Sequence, residues 1–328
     1  MDEPIVVGVD GSAPSLRAVD WGAEEAALRG APLRLVYASL WERYEGELIA
    51  QELNRPVEEV MARDVVGTAE ARARSHRPGV EVTTDVLGGE PEYTLVRESS
   101  TARAVVLGSR GRSGFTEALL GSVSLTVAGH AHCPVFVLRD GPEEEVPGGS
   151  PRIVLAVGDK PRDAAAVRFA AEEAGLRGLP LEAVRAWRRP SGFTGHDAGE
   201  GDPEEAAREV VAEALRDVPE GVATVVRTPE GHTRDALVEA ARGATLLVVG
   251  GHPRHGGFGL QLGRVAHGAL HRAPCPVAVV PDGACRPGRA AGGGAAHARE
   301  RRGGEAGCRG RLLAVTAGAG SAAGRPAR

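Results

Sequence analysis

Two copies of one sequence unit make up most of this chain of 328 residues. Residues 5–26, IVVGVDGSAPSLRAVDWGAEEA, align without a gap with residues 153–174, IVLAVGDKPRDAAAVRFAAEEA. Residues 105–138 and 247–280 also align without a gap, and both contain Cys-Pro-Val before their last apolar positions. Each copy has the size of an ordinary domain, so we expect two domains with the same fold.

Composition divides the chain around these copies. We predict a first domain over residues 1–140, a linker rich in Gly, Pro and Glu over 141–151, and a second domain over 152–282. Residues 283–328 are rich in Ala, Gly and Arg and contain few large apolar side chains, so we expect a disordered tail. The alternative for this tail is a basic arm that contacts nucleic acid or membrane.

Short apolar runs alternate with helical patterns in both copies. The first copy begins with the apolar run Ile5–Val9, followed by a helical pattern over Pro14–Arg29 that Gly30 should end. A second apolar run, Leu33–Tyr37, precedes a long charged helical pattern over Pro56–Ser75. This alternation continues to the end of each copy, and it predicts the α/β class, with a parallel sheet covered by helices on both faces.

The charge and cysteine content of the chain exclude several settings. The formal net charge is −5, so no polyanionic partner is implied, and we expect no nucleic-acid binding by the two domains. No apolar stretch has the length of a membrane helix, and the first residues show no signal-peptide pattern. The four cysteines form no C-x-x-C pair. We therefore expect a cytoplasmic protein without a membrane partner.

A glycine-rich stretch follows the buried run Ala104–Leu107. Gly108 and Gly111 come first, and nine residues later Gly121 and Ser122 precede a helical pattern. Glycines let a backbone approach an anion closely, and the free N–H groups of a helix start point towards it. The pattern therefore predicts a phosphate site, although an ordinary connection between strand and helix would also fit it. It contains neither a Walker A loop nor a dinucleotide fingerprint.

Asp10 comes just after the first apolar run, in the segment VGVDGS. In a doubly wound sheet, ligands bind beyond the carboxyl ends of the strands, where the strand order reverses. If the first and fourth strands are neighbours there, Asp10 and the glycine-rich stretch meet, and the carboxylate could accept hydrogen bonds from ribose hydroxyls. The alternative is that Asp10 caps the helix that follows it.

These features together resemble the universal stress proteins in their tandem two-domain form, over about residues 3–282. The resemblance is carried by Asp10, by the pattern Gly108-x-x-Gly111-nine residues-Gly121-Ser122, and by Cys133-Pro134-Val135. It implies two tandem doubly wound parallel five-stranded sheets of the adenine-nucleotide alpha hydrolase-like type, with strand order 3-2-1-4-5. It also implies ATP bound together with a divalent metal such as Mg²⁺.

The nucleotide-contacting residues that we predict combine this resemblance with the loop composition. Asp10 would contact the ribose, the backbone near Ala38 would receive adenine, and Arg112 could neutralise phosphate charge. No residue is assigned to the metal itself, and no catalytic residue is predicted. The full set of predicted nucleotide-binding residues is Asp10, Ala38, Gly108, Gly111, Arg112, Gly121, Ser122, Val123 and Ser124.

The function expected from these observations is an ATP-binding regulator of a stress or energy-state response, with at most weak ATP hydrolysis and an unidentified signalling partner. The alternative is an interaction module that binds no nucleotide and serves for dimerisation. Val135–Leu138 and Val277–Val280 are the last strands of the two copies. Their apolar edges would need partners, so we expect pairing of the two domains or a homodimer.

The second copy lacks several of the polar groups of the first. Alignment of the copies places Gly158 opposite Asp10, Pro253 opposite Gly111 and Arg264 opposite Ser122. Proline removes a backbone donor, and arginine replaces a hydroxyl group. We therefore predict that the second domain is the weaker nucleotide site and that each chain binds close to one ATP tightly.

Overall fold

The structure is a computed structural model, and it describes residues 3–39, 55–111, 120–139, 150–158, 164–189, 202–251 and 262–282. Arg112 of the predicted site lies outside these residues, as do Pro253 of the second copy, most of the predicted linker and the whole tail at 283–328. The predictions about them stay predictions. Within the described ranges, no helix is both long enough and apolar enough to cross a membrane.

Strands and helices alternate in both halves of the chain. The first half contains β1 (Ile5–Gly8), α1 (Ala13–Arg29), β2 (Leu33–Ser39), α2 (Arg55–His76), β3 (Val82–Gly88), α3 (Pro91–Glu98), β4 (Ala104–Gly108), α4 (Ser122–His130) and β5 (Val135–Leu138). The second half contains β6 (Ile153–Ala156), α5 (Ala164–Arg177), β7 (Leu181–Val184), α6 (Pro203–Ala214), β8 (Thr224–Arg227), α7 (Thr233–Ala240), β9 (Leu246–Gly251), α8 (Arg264–Arg272) and β10 (Val277–Pro281).

The first helix shows how local sequence sets these boundaries. Ser12 is its N-cap, and its Oγ accepts a hydrogen bond from the backbone N–H of Ser15 at 3.3 Å. Pro14 lies in the first turn, where its missing N–H costs no hydrogen bond. Gly30 ends the helix in the left-handed conformation, with a φ of 61°. The sequence predicted this helix end because glycine adopts that conformation without a steric cost.

One sheet of ten strands runs through both halves, in the order β3-β2-β1-β4-β5-β10-β9-β6-β7-β8. Each half has the predicted order 3-2-1-4-5, and neighbouring strands within a half are parallel. The sheets are joined rather than separate, because β5 and β10 pair in antiparallel fashion. This confirms the expected pairing of the last strands, whose apolar edges would otherwise leave N–H and C=O groups unpaired.

Helices bury both faces of this sheet. Ile5 and Val7 belong to the apolar core shared with α1, α2 and α5, whereas Val6 belongs to the core on the opposite face with α3, α4, α7 and α8. Cys133 and Cys275 lie buried in this second core. Burial raises the pKa of each thiol to about 12, so neither is a reactive thiolate near neutral pH.

Candidate functional site

A cavity of about 200 Å³ lies in the first half at the carboxyl ends of β1, β2 and β4. Every predicted site residue that the structure describes lines it, and Arg112 is the one that lies outside the described residues. The residues brought together in this way are Asp10, Ala38, Gly108, Gly111, Gly121, Ser122, Val123 and Ser124. They come from four separate segments of the first half.

The position of this cavity follows from the strand order. β1 lies between β2 and β4, so the chain crosses to opposite sides of the sheet after β1 and after β4. The register places Gly8 beside Val36 and Val7 beside Val106, which brings the ends of the three strands level with one another. The connections that leave β1 and β4 therefore diverge and open a crevice, as in other doubly wound sheets.

Asp10 has a structural role in the turn as well as a place in the cavity. Its Oδ1 accepts hydrogen bonds from the backbone N–H of Ser12 at 2.9 Å and from the Ser12 hydroxyl at 2.6 Å. Gly11 allows this turn through a φ of 81°. Asp10 therefore positions the N-cap residue of α1 instead of capping the helix itself, which corrects the capping alternative. Its other oxygen, Oδ2, lies beside Gly111.

A side chain would meet different surroundings at each of the three glycines of the phosphate-type pattern. A Cβ at Gly108 would lie 2.7 Å from the carbonyl carbon of Pro14, so the close packing of β4 against the start of α1 requires glycine there. A Cβ at Gly111 would lie 2.8 Å from Oδ2 of Asp10. A Cβ at Gly121 would meet nothing closer than the Ser109 carbonyl oxygen at 3.4 Å, so the fold tolerates a side chain at this position.

The N-terminus of α4 lines the cavity. Gly121 is the N-cap, and its N–H donates to the Ser109 carbonyl oxygen at 2.8 Å, which holds the helix start against the end of β4. The first intrahelical bond runs from the N–H of Leu125 to the carbonyl oxygen of Gly121. The N–H groups of Ser122, Val123 and Ser124 therefore have no intrahelical acceptor, and the helix dipole adds positive potential there.

The two serines at this helix start are engaged differently. The hydroxyl of Ser124 is buried and donates to the Gly108 carbonyl oxygen at 2.7 Å. Of the polar donors of Ser124, only the backbone N–H is therefore left for a molecule in the cavity. The hydroxyl of Ser122 is exposed and donates to Oε1 of Glu92 at 3.2 Å. Ser122 thus has a side chain that a ligand can reach.

Sequence reasoning missed part of this site. The apolar wall is formed by side chains that read as ordinary core positions, and it consists of Val9, Val36, Pro91, Leu95 and Leu107. Glu92 is separated from Ser122 by 30 residues and belongs to no motif, so only the packing of α3 beside α4 reveals their contact.

The second half repeats the scaffold but exchanges the polar groups. Gly263 is the N-cap of α8, as Gly121 is of α4, and the exposed Arg264 takes the place of Ser122. Gly158 aligns with Asp10, and Arg234 is the second residue of α7 as Glu92 is of α3. At these aligned positions the second half therefore has neither the carboxylates nor the accessible hydroxyl of the first half.

Comparison with known proteins relates the chain to one family. The model described as Universal stress protein family matches residues 1–139 and again residues 150–281. The chain is 32% identical over 300 residues to Universal stress protein Rv2005c of Mycobacterium tuberculosis, which covers 84% of this chain and 96% of that protein. It is 31% identical over 303 residues to Universal stress protein Rv1996 of the same species, covering 84% and 94%. The double match agrees with the internal repeat.

A solved structure shares the architecture of the whole described chain. A universal stress protein from Archaeoglobus fulgidus matches with a TM-score of 0.63 and 18% sequence identity. The match covers 85% of this chain and 98% of that chain. At this identity the likeness concerns the fold alone.

Proposed function

The chain belongs to the universal stress protein family, and on this premise we propose that its first half binds ATP in the cavity at the ends of β1, β2 and β4. Nucleotide occupancy would report a stress or energy state to a signalling partner. The observation that carries this proposal is the convergence of Asp10, the glycine pattern and the start of α4 on one cavity.

The phosphate end of the nucleotide would lie at the start of α4. Three backbone N–H groups, those of Ser122, Val123 and Ser124, are left by the helix geometry for an external acceptor. Gly121 has room for a close approach, because no atom of the fold fills the place of its missing side chain. Arg110 also lines this end and would add positive charge near the phosphates.

The base and the ribose would lie towards β1 and β2. Val36, Pro91 and Leu95 provide an apolar surface of the kind that receives an adenine ring, and Ala38 supplies backbone groups at its margin. The carboxylate of Asp10 lies between this surface and the glycine pattern, where ribose hydroxyls would donate to it. The cavity volume is below the ~300–1,000 Å³ that is usual for ligand pockets, so part of the nucleotide would extend outside it.

The donors at the phosphate end suit a hard divalent cation such as Mg²⁺. They are carboxylate and hydroxyl oxygens, which Mg²⁺ prefers. When bound, the cation would neutralise phosphate charge. Among the described residues no group of three His, Cys, Asp or Glu side chains could hold a metal, so the cation would arrive with the nucleotide.

The second candidate function is an interaction module without nucleotide. The antiparallel pairing of β5 with β10 favours it, because this pairing shows that the last strands serve for association. On the first proposal we expect at most weak ATP hydrolysis, and on the second no enzymatic activity. A cytoplasmic location, a further homodimer and the identity of the signalling partner remain proposals.

Calorimetric titration of the full chain with ATP and Mg²⁺ tests the proposed function. Gly111→Ala places a methyl group against Asp10 and the phosphate path, so affinity should fall more than about tenfold, equivalent to about 1.4 kcal/mol. Gly67→Ala is the matched control, because a Cβ at Gly67 would meet nothing within 4 Å. The absence of ATP binding by the unaltered chain, or equal affinities of the two variants, would contradict the proposal.

A further inference from the structure

We propose that Glu92 makes nucleotide binding in the first half depend on a divalent cation, which its carboxylate holds together with Ser122 and the phosphates. This inference rests on the proposed function, because it names a residue and a regulation of the same cavity. The observation that carries it is the hydrogen bond from the Ser122 hydroxyl to Oε1 of Glu92, at 3.2 Å.

The contact joins the starts of two helices. Glu92 is in the first turn of α3, and Ser122 is the first residue of α4. These helices pack side by side on one face of the sheet, so their N-termini lie next to each other at the cavity. The hydroxyl that would meet a phosphate is therefore already bonded to a carboxylate.

A carboxylate at this position opposes the binding of a bare phosphate. Like charges a few ångströms apart repel, and the repulsion is stronger near a protein surface than in bulk water. Ser122 would also have to leave its acceptor before it could donate to the phosphate. A divalent cation between the two anionic groups reverses the sign of the interaction, because each of them then binds the metal.

The available oxygen donors fit a cation that is shared with a ligand. Mg²⁺ is commonly bound through one or two carboxylates together with substrate phosphates, and it retains several waters. Glu92 supplies one carboxylate and Ser122 a neutral oxygen. Over the part of the chain that the structure describes, no cluster of three acidic, His or Cys side chains offers the cation a site without the nucleotide.

The second half has a positively charged residue at both positions. Arg234 is the second residue of α7 as Glu92 is of α3, and Arg264 aligns with Ser122. Both arginines are exposed at the starts of α7 and α8. Two guanidinium groups cannot coordinate a cation. The cation dependence is therefore specific to the first half.

The test compares ATP affinity in Mg²⁺ with ATP affinity in EDTA, measured by calorimetry on the full chain. In the unaltered protein, Mg²⁺ should tighten ATP binding by about tenfold or more. In Glu92→Gln this ratio should fall close to one, and the affinity in EDTA should rise because a negative charge has been removed. Glu90→Gln removes a charge of the same sign at the N-cap of the same helix but keeps the carboxylate that Ser122 contacts, so it should keep the original ratio.

Adenosine separates a failure of this inference from a failure of the proposed function. It lacks phosphates, so its affinity should be the same with Mg²⁺ and with EDTA, and the same in Glu92→Gln. An unchanged Mg²⁺ ratio for ATP in Glu92→Gln, or a ratio of one in the unaltered protein, would overturn the role of Glu92 while leaving nucleotide binding intact. If neither ATP nor adenosine binds the unaltered protein, the proposed function and this inference both fall.

Discussion

Arg29 of the first half donates to the carboxylate of Glu173 in the second half, and both side chains are buried where the halves meet. The internal repeat produces the same contact in reverse, because Arg177 donates to Glu25. Each arginine also forms an ion pair with the glutamate four residues before it on its own helix. The junction between α1 and α5 is therefore specified by charge as well as by apolar burial.

Aromatic rings complete this junction. The Arg29 guanidinium lies 5.7 Å from the ring centre of Phe169, and that of Arg177 lies 5.3 Å from the ring centre of Trp21. Phe136 lies between these rings, with ring centres 6.0 Å from Trp21 and 5.7 Å from Phe169. The halves thus meet through an approximately two-fold arrangement, which the repeated helix sequence explains.

Removal of one buried carboxylate should destabilise the chain strongly. Glu25→Ala leaves two buried guanidinium groups with too little negative charge, and the free energy of unfolding should fall by about 3–5 kcal/mol. Glu24→Ala is the control, because Glu24 is 41% exposed and pairs with Arg77 at the surface, where a pair contributes about 0–1 kcal/mol. Urea unfolding of both variants measures the difference, and equal losses would contradict a structural role for the cluster.

The same cluster should make stability depend on pH. Desolvation and the neighbouring Glu25 and Glu172 carboxylates raise the pKa of Glu173 to about 8 from its ordinary 4.5, because three carboxylates share two guanidinium groups. The folded state therefore retains a proton that the unfolded chain releases above about pH 5, so the free energy of unfolding falls as pH rises towards 8.

Glu173→Gln removes this titration. The loss of unfolding free energy between pH 5 and 8 should be smaller in Glu173→Gln than in the unaltered chain, by more than about 1 kcal/mol. Urea unfolding at a series of pH values measures both slopes. Parallel slopes would show that Glu173 stays ionised throughout this range.

Alanine should destabilise the fold at one glycine of the phosphate-type pattern and be tolerated at another. Gly108→Ala forces a Cβ to within 2.7–2.9 Å of Pro14 backbone atoms, so it should lower the free energy of unfolding by about 1–3 kcal/mol. Gly121→Ala meets its nearest atom at 3.4 Å and should lower it by less than about 1 kcal/mol, the cost of alanine at an N-cap. Thermal unfolding compares them, and an equal loss in both variants would contradict this distinction.

The pattern of apolar runs was sufficient to predict the strands and the unpaired edges through which the halves join. Buried strands such as Val105–Leu107 are recognisable because every position is apolar, and the resemblance supplied the order of the strands. The cavity residues near the glycines were also predictable, because strand ends meet at a switch point. The joining of the two sheets followed from the unpaired edges of Val135–Leu138 and Val277–Val280.

Contacts between distant segments were not predictable in the same way. Glu25 and Arg29 have the spacing of an exposed ion pair on a helix, and only the pairing of the halves buries them. Glu92 looks like an ordinary acidic residue in the first turn of a helix until α3 packs beside α4. Such residues acquire their environment from tertiary structure, which local patterns do not contain.

The number of ATP molecules bound per chain tests the central claim most directly. Calorimetric titration in Mg²⁺ should give close to one tight site, with most binding lost in Asp10→Ala and little change in Arg264→Ala. This asymmetry is expected because Asp10 and the exposed Ser122 of the first half align with Gly158 and Arg264 in the second half. Two equal sites, or loss of tight binding in Arg264→Ala while Asp10→Ala binds normally, would contradict the account.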